Sequence, residues 1–135
     1  LITSKVLDYF KSSDINKIIY TSSASVYGNN ILCKESDELK PINLHASLKV
    51  ANERLISKYC SNNNIDYTIT RIFNMYGGND KFSVIRKIIN AHLNSEKITI
   101  VNNGNAIRDF IHIDDVADAY LNLLKLKNVR ILNIG

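Results

Sequence analysis

Two short runs of β-branched and aromatic residues, KIIYTS at 17–22 and YTITRI at 67–72, enclose a stretch at 46–60 whose apolar residues recur at helical spacing. That order leaves few folds open. Runs this short and this rich in Ile, Thr and Tyr read as buried strands. Two strands joined through a helix are paired in parallel, because the crossover returns the chain to the same end of the sheet. The expected class is therefore α/β, built on a parallel sheet with helices against it. In the central helix, Leu48, Ala51, Leu55, Ile56 and Tyr59 are expected to form the inward stripe.

The flanking segments extend the pattern. Residues 1–10, with Leu1, Ile2, Val6, Leu7, Tyr9 and Phe10, suit the back half of an amphipathic helix. Residues 24–44 are polar and irregular; a loop of about 20 residues without regular structure points to a functional one. Asp80 is expected to cap a third helix that turns Phe82, Ile85, Ile88, Ile89 and Leu93 inward. KITIV at 97–101 and IRDFI at 107–111 flank Asn102-Asn103-Gly104-Asn105, and Asn-Gly between apolar runs predicts a β-hairpin. Asp114 is expected to cap a helix whose inner face carries Val116, Tyr120, Leu123 and Leu124, and 131–134 reads as a last strand. The hairpin breaks the strand–helix alternation. Residues 1–79 are thus expected to belong to one domain and 80–135 to a mixed segment holding the hairpin and a returning helix and strand.

Charge and composition exclude several functions. Seventeen basic against thirteen acidic side chains give a net charge of +4, with no basic cluster of the kind nucleic-acid binders carry. No apolar stretch approaches the ~20 residues a transmembrane helix requires. Cys33 and Cys60 stand in neither a CxxC nor a metal-ligand spacing, so reduced thiols and a cytoplasmic location are expected, without metal. The first residue is Leu and the only methionine is Met75, which leads us to expect a fragment or a processed piece.

Ligands of open parallel sheets collect beyond the carboxyl ends of the strands. Two segments are placed there: TSSASVYG at 21–28 and RIFNMYG at 71–77. Hydroxyls and glycines at such positions also serve simply to close strand ends. Taken together in order, SSASVYG, a helix opening with a Lys, RIFNMYGG and RDFIHIDDVADAY resemble the extended short-chain dehydrogenases/reductases, and within them the NAD-dependent nucleotide-sugar epimerases and dehydratases. The resemblance runs from Ser22 to Gly135.

The resemblance implies a partial Rossmann-type sheet, NAD as cofactor, a nucleotide sugar as substrate and a possible homodimer. Position by position, Ser23 would hold the sugar hydroxyl that is oxidised. Lys49 would bind the nicotinamide ribose and tune the neighbouring acid–base group. Ser22 and Phe73 would lie against the cofactor, and Phe73 and Asn74 would border nicotinamide and substrate. Arg108 would grip the diphosphate, for which a guanidinium offers paired donors and a permanent charge. Ala24 and Ser25 stand where the dehydratase branch has an acidic pair, which favours epimerase or reductase chemistry over 4,6-dehydration.

Two departures stand out. The family's catalytic Tyr-x-x-x-Lys is His45-Ala46-Ser47-Leu48-Lys49 here, with the spacing kept and the base changed. Imidazole is a shorter and weaker base than a phenolate, and a displacement of about 1 Å costs about 100-fold in rate. An exposed residue at a helix start is the plainer reading of His45; an inactive relative that only binds a nucleotide sugar is the corresponding alternative for the protein. The glycine-rich GxxGxxG fingerprint that lets a backbone approach a pyrophosphate is also absent from these residues, so weak or no NAD binding is expected of them alone.

Overall fold

β2 (Asp66–Ile72) is the central strand, and its sequence explains why. Thr, Ile and Tyr suit a strand covered on both faces, and from Thr68 to Ile72 every residue is buried. The computed structural model describes residues 2–135. β1 (Lys17–Ser23) lies parallel to β2 in a register that sets Lys17 against Asp66 and Ser23 against Ile72. β5 (Ile131–Ile134) joins the other edge, also parallel, with Ile134 opposite Ile72. The sheet order is β1-β2-β5, and all three strands end at the same edge.

The two faces are covered by different helices. α1 (Ile2–Tyr9) and α2 (Leu44–Asn63) share one face, where Leu7, Ile56 and Cys60 pack with Ile18, Tyr20 and Tyr67. α4 (Ile113–Leu123) covers the other through Val116 and Leu123, against Ile19, Ile72, Leu132 and Ile134. Strand alternation sorts the residues: Ile18, Tyr20 and Ser22 face α2, whereas Ile19 and Thr21 face α4. Leu1, expected in the first helix, lies outside the described residues.

α2 begins where Asn43 accepts a hydrogen bond from Ala46 N at 2.9 Å, and ends at Asn64 in the left-handed conformation. Its buried residues are Ala46, Val50, Glu53, Ile56 and Cys60. The expected stripe is therefore corrected: Leu55, Ile56 and Tyr59 do pack inward, but Leu48 and Ala51 are exposed. A charged residue, Glu53, occupies the inner face, which a purely apolar count passes over.

The region after β2 departs further from expectation. β3 (Asn74–Tyr76) pairs parallel with β4 (Phe110–His112), Asn74 opposite Phe110. No hairpin forms between 97–101 and 107–111. Asn102, Asn103 and Gly104 all adopt positive φ and coil into a 3-10 turn, Val101–Gly104. Ile98, Ile100 and Ile107 stay exposed, while 110–112 finds its partner in β3. α3 (Val84–Leu93) is capped by Ser83, not Asp80; the Asp80 carboxylate instead accepts from Phe82 N and Ser83 N in the turn before it. Only Ala91 of α3 is buried, and Phe82, Ile88, Ile89 and Leu93 face outward. α4 is capped by His112, whose Nδ1 accepts from Asp114 N at 3.3 Å. Asp114 instead lies in the first turn, where its charge complements the helix dipole. Leu124 is exposed just past the helix end.

Candidate functional site at the carboxyl edge of the sheet

The site is assembled where β1, β2 and β5 stop. β1 ends at Ser23, whose side chain accepts from Ser25 N at 3.2 Å and so starts a 3-10 turn, Ala24–Tyr27. This turn is anchored by Val26 and Tyr27, both buried against Val50 of α2. Gly28 follows at φ 69°, and a Cβ there would stand 2.2 Å from the Lys40 carbonyl oxygen, so the turn requires glycine. The Ser25 hydroxyl oxygen is buried with no partner among the described residues, two residues beyond the end of the hydroxyl-rich strand.

The first turns of α2 stand beside this strand end. Lys49 Nζ donates to the Thr21 carbonyl oxygen at 2.8 Å and lies 5.3 Å from the Tyr20 ring centre. His45, one turn earlier on the same helix, is exposed, and its ring makes no hydrogen bond to another described residue. The Thr21 hydroxyl, on the other side of the strand, is 2.6 Å from Tyr120 of α4, which is equally close to Thr70.

β2 delivers the second group. Phe73 is half-buried, with its N–H on Ile134 O at 2.9 Å. Asn74 donates to the Asp109 carbonyl twice, from its backbone at 3.0 Å and its side chain at 2.9 Å. That pairing sets Asn74 against Asp109, the residue after Arg108. Arg108 is exposed and donates only to the adjacent Ile107 carbonyl, at 2.8 Å. The structure thus gathers Ser23 and Lys49 at the end of β1, and Phe73, Asn74 and Arg108 at the β2–β3 passage. Ser22 stands apart from the first group: its side chain is buried on the α2 face and donates to Glu53.

Beneath this edge lies a buried charged network. Glu53 and Arg71 are 4% and 3% exposed and pair through Arg71 Nη2 to Glu53 Oε2 at 2.8 Å and Nε to Oε1 at 3.2 Å. Arg71 Nη1 reaches the Tyr27 hydroxyl at 2.8 Å and the Glu35 carbonyl at 3.2 Å. Tyr27 donates onward to Asn133 at 2.7 Å, and Asn133 N donates to Glu35 Oε1 at 2.9 Å. The loop at 28–43 is thereby pinned across the ends of β2 and β5. Burial works against the charged guanidinium, but its bonds to Glu53 and Tyr27 and the Glu53 charge outweigh it and raise the Arg71 pKa. Burial also raises the Tyr27 phenol, with Arg71 opposing. The Asn133 N–H holds the Glu35 carboxyl below its ordinary value. The sequence offered a signal for this network: a lone Arg in the run YTITRI is a buried charge in need of a partner.

In a parallel α/β sheet of this kind ligands collect beyond the carboxyl ends of the strands, where this chain places hydroxyls, an ammonium and a side-chain amide. The chain belongs to the NAD dependent epimerase/dehydratase family, whose model matches residues 1–135. A dTDP-D-glucose 4,6-dehydratase of Dictyostelium discoideum is 31% identical over 98% of this chain and 34% of its own. A UDP-N-acetylglucosamine 4-epimerase from Methanobrevibacter ruminantium M1, solved with UDP-N-acetylmuramic acid, superposes with a TM-score of 0.90 at 30% identity, over 98% of this chain and 45% of its own. The UDP-glucuronic acid 4-epimerase from Bacillus cereus, solved with UDP-glucuronic acid and NAD, gives 0.91 at 29% identity, over 99% and 44%. The chain therefore spans less than half the length of each of these relatives. No helix among the described residues is long and apolar enough to cross a membrane.

The family is NAD-dependent. Of the residues at this edge, Lys49, the Ser23 hydroxyl and Phe73 would offer a ribose and a nicotinamide ring their donors and apolar face; the Ser22 and Thr21 hydroxyls are already engaged by Glu53 and Tyr120. The five glycines, at 28, 77, 78, 104 and 135, nowhere have the spacing that cradles a pyrophosphate.

Proposed function

We propose that the protein carrying these residues is an NAD-dependent nucleotide-sugar epimerase that interconverts two sugar configurations through a transient ketone, an isomerase in outcome. The carrying observation is the Lys49 contact with Thr21 O at 2.8 Å, which sets the ammonium at the strand end that carries Ser23. Residues 1–79 supply the cofactor-facing part, and 80–135 supply part of the substrate-facing region together with the helix and strand that return to the same sheet. Ser23 orients the reacting sugar hydroxyl. His45 stands where the base belongs and takes the hydroxyl proton as the carbon-bound hydrogen departs with its electron pair. NAD, when bound, would supply reversible hydride acceptance at this place. Lys49 fixes the ribose and places a positive charge beside His45. Phe73 and Asn74 border the ring, and Arg108 carries the charge that answers the diphosphate. Ala24 and Ser25 offer no carboxyl for eliminating water, which supports epimerisation over dehydration. The exposed Leu44, Leu48 and Ala51 on α2 support pairing of two copies through that helix, and two reduced thiols suit a cytoplasmic setting.

A second reading rests on one residue. With His45 in the base position, the protein binds a nucleotide sugar without turning it over. The two are separated by incubating the protein with NAD and UDP-glucose or UDP-glucuronic acid and following the anomeric proton by NMR. A new anomeric signal from the 4-epimer is expected. Calorimetric binding of the sugar nucleotide with no new signal and no reduced cofactor overturns the epimerase in favour of the binder.

A further inference from the structure

We propose that Glu53 is a positioning residue: its buried carboxylate locks α2 against the end of β1 and so fixes Lys49 relative to Ser23. The inference rests on reading Lys49 and Ser23 as site residues, and goes beyond it to a group that touches neither substrate nor cofactor. Glu53 lies one helical turn after Lys49. Its Oε1 accepts from the hydroxyl of Ser22, the residue before Ser23, and from Arg71 Nε at 3.2 Å, while Oε2 accepts from Arg71 Nη2 at 2.8 Å. Arg71 precedes Phe73 by two residues in β2, and its other arm holds the Tyr27 hydroxyl at 2.8 Å, in the turn that Ser23 caps. One carboxylate thus joins the three elements that carry Ser23, Lys49 and Phe73, each a single turn or at most two residues from its site residue.

Stability alone does not account for a charge here. A buried ion pair contributes about as much as a well-packed apolar pair of the same volume, because desolvation offsets the attraction. What the ion pair adds is direction. A planar guanidinium and a carboxylate admit only a narrow range of mutual orientations. Lys49 needs that precision, since its flexible side chain is held on the sheet by one hydrogen bond, to Thr21 O, and by the Tyr20 ring at 5.3 Å.

The test uses Glu53→Gln in the full protein, with two readouts. The first is steady-state turnover: kcat is expected to fall by about tenfold or more with KM for the sugar nucleotide within about twofold, since Lys49 and Ser23 are displaced at the reacting hydroxyl while Asn74 and Arg108, which carry ground-state binding, stay in place. The second is independent of activity: the rate at which an amine reagent modifies Lys49, read by mass spectrometry against exposed Lys58, is expected to rise by about threefold or more as the Thr21 bond loosens. Should Glu53→Gln not fold, the Glu53→Gln/Arg71→Gln pair, which leaves no uncompensated charge, is judged by the same criteria. A folded variant with unchanged Lys49 reactivity overturns the proposal, as does one with unchanged kcat. If the unaltered protein shows no turnover, the epimerase reading has failed, and Lys49 reactivity alone decides the positioning role.

Discussion

Gly77 approaches His112 so closely that a Cβ on the glycine would lie 2.3 Å from the imidazole Nε2. The approach joins β3 to β4 and keeps the His112 ring turned so that Nδ1 caps α4. Gly77 also sits at φ 108°, a conformation L side chains rarely adopt. Gly77→Ala combines the strain with the collision and is expected to cost about 1–3 kcal/mol, measured as a lower urea midpoint. Gly78→Ala is the control: its φ of 55° carries backbone strain, but the nearest atom to its Cβ is 3.7 Å away. Equal losses at 77 and 78 would show that the His112 contact does not matter.

The Tyr120 hydroxyl reaches Thr21 and Thr70 at 2.6 Å each and so ties α4 to both β1 and β2. Tyr120→Phe keeps the ring and removes both bonds, leaving a buried Thr70 hydroxyl with only the Tyr20 carbonyl at 3.2 Å. A loss of about 1–2 kcal/mol in chemical denaturation is expected. Unchanged stability would place these hydroxyls among groups that water satisfies equally well.

Asp66 sits at the opposite edge of the sheet from the candidate site. Burial favours its neutral form, but Lys17 at 3.0 Å, the Asn128 N–H and Arg130 at 2.8 Å outweigh this and hold its carboxyl below the ordinary carboxylate range. A carboxyl depressed on folding contributes stability that is fully present above its unfolded pKa, ~3.9, and is lost as pH falls through the folded value. Melting temperature should therefore drop on acidification below about pH 4, and Asp66→Asn should be less stable at neutral pH with a shallower acid decline. An unchanged acid decline in Asp66→Asn would remove Asp66 from the groups responsible.

Cys60 is fully buried against Leu7 and Ile56, and burial pushes its thiol up to about 11. Cys33 is half-exposed; its thiol too is raised, by burial and by Asp37. A maleimide at pH 7 is expected to label Cys33 first and Cys60 only as the protein unfolds, since the thiolate is the reacting form and Cys60 is shielded. Peptide mapping after partial labelling checks this, and early modification at Cys60 would mean that α1 opens readily from the sheet.

The strands at 17–23 and 66–72 and the helix between them follow from local residue pattern, because each is short, strongly periodic and completed by its neighbours. Ser23, Lys49, Phe73, Asn74 and Arg108 could be named from motif order; topology sets Ser23 and Phe73 at the ends of β1 and β2, while Lys49 stands on α2 and Arg108 precedes β4. The failures have a common physical cause. IRDFI at 107–111 is as strand-like as KITIV, yet pairing is decided by what lies opposite, and β3 lies opposite. Periodicity in α3 marks an apolar face but not whether anything covers it. That Glu53 turns inward to Arg71 depends on a strand residue 18 positions further along the chain, which no local pattern on α2 marks.

His45 poses the sharpest question for the chemistry. It keeps the four-residue spacing to Lys49 on α2 and is exposed, so a larger ring at 45 has room. If the rest of the site is intact, His45→Tyr supplies a base that reaches further and matches the family's motif. General-base effects amount to about 100-fold or more, so turnover of a sugar nucleotide in the full protein should rise by about tenfold at least. The gain should appear in kcat rather than KM, because the base acts on the reacting proton more than on ground-state binding. A rise identifies His45 as a weakened base in an otherwise ordinary epimerase. Turnover equal to or below that of the unaltered protein would sink that view, leaving either a mechanism built around imidazole or a protein that binds its sugar nucleotide without converting it.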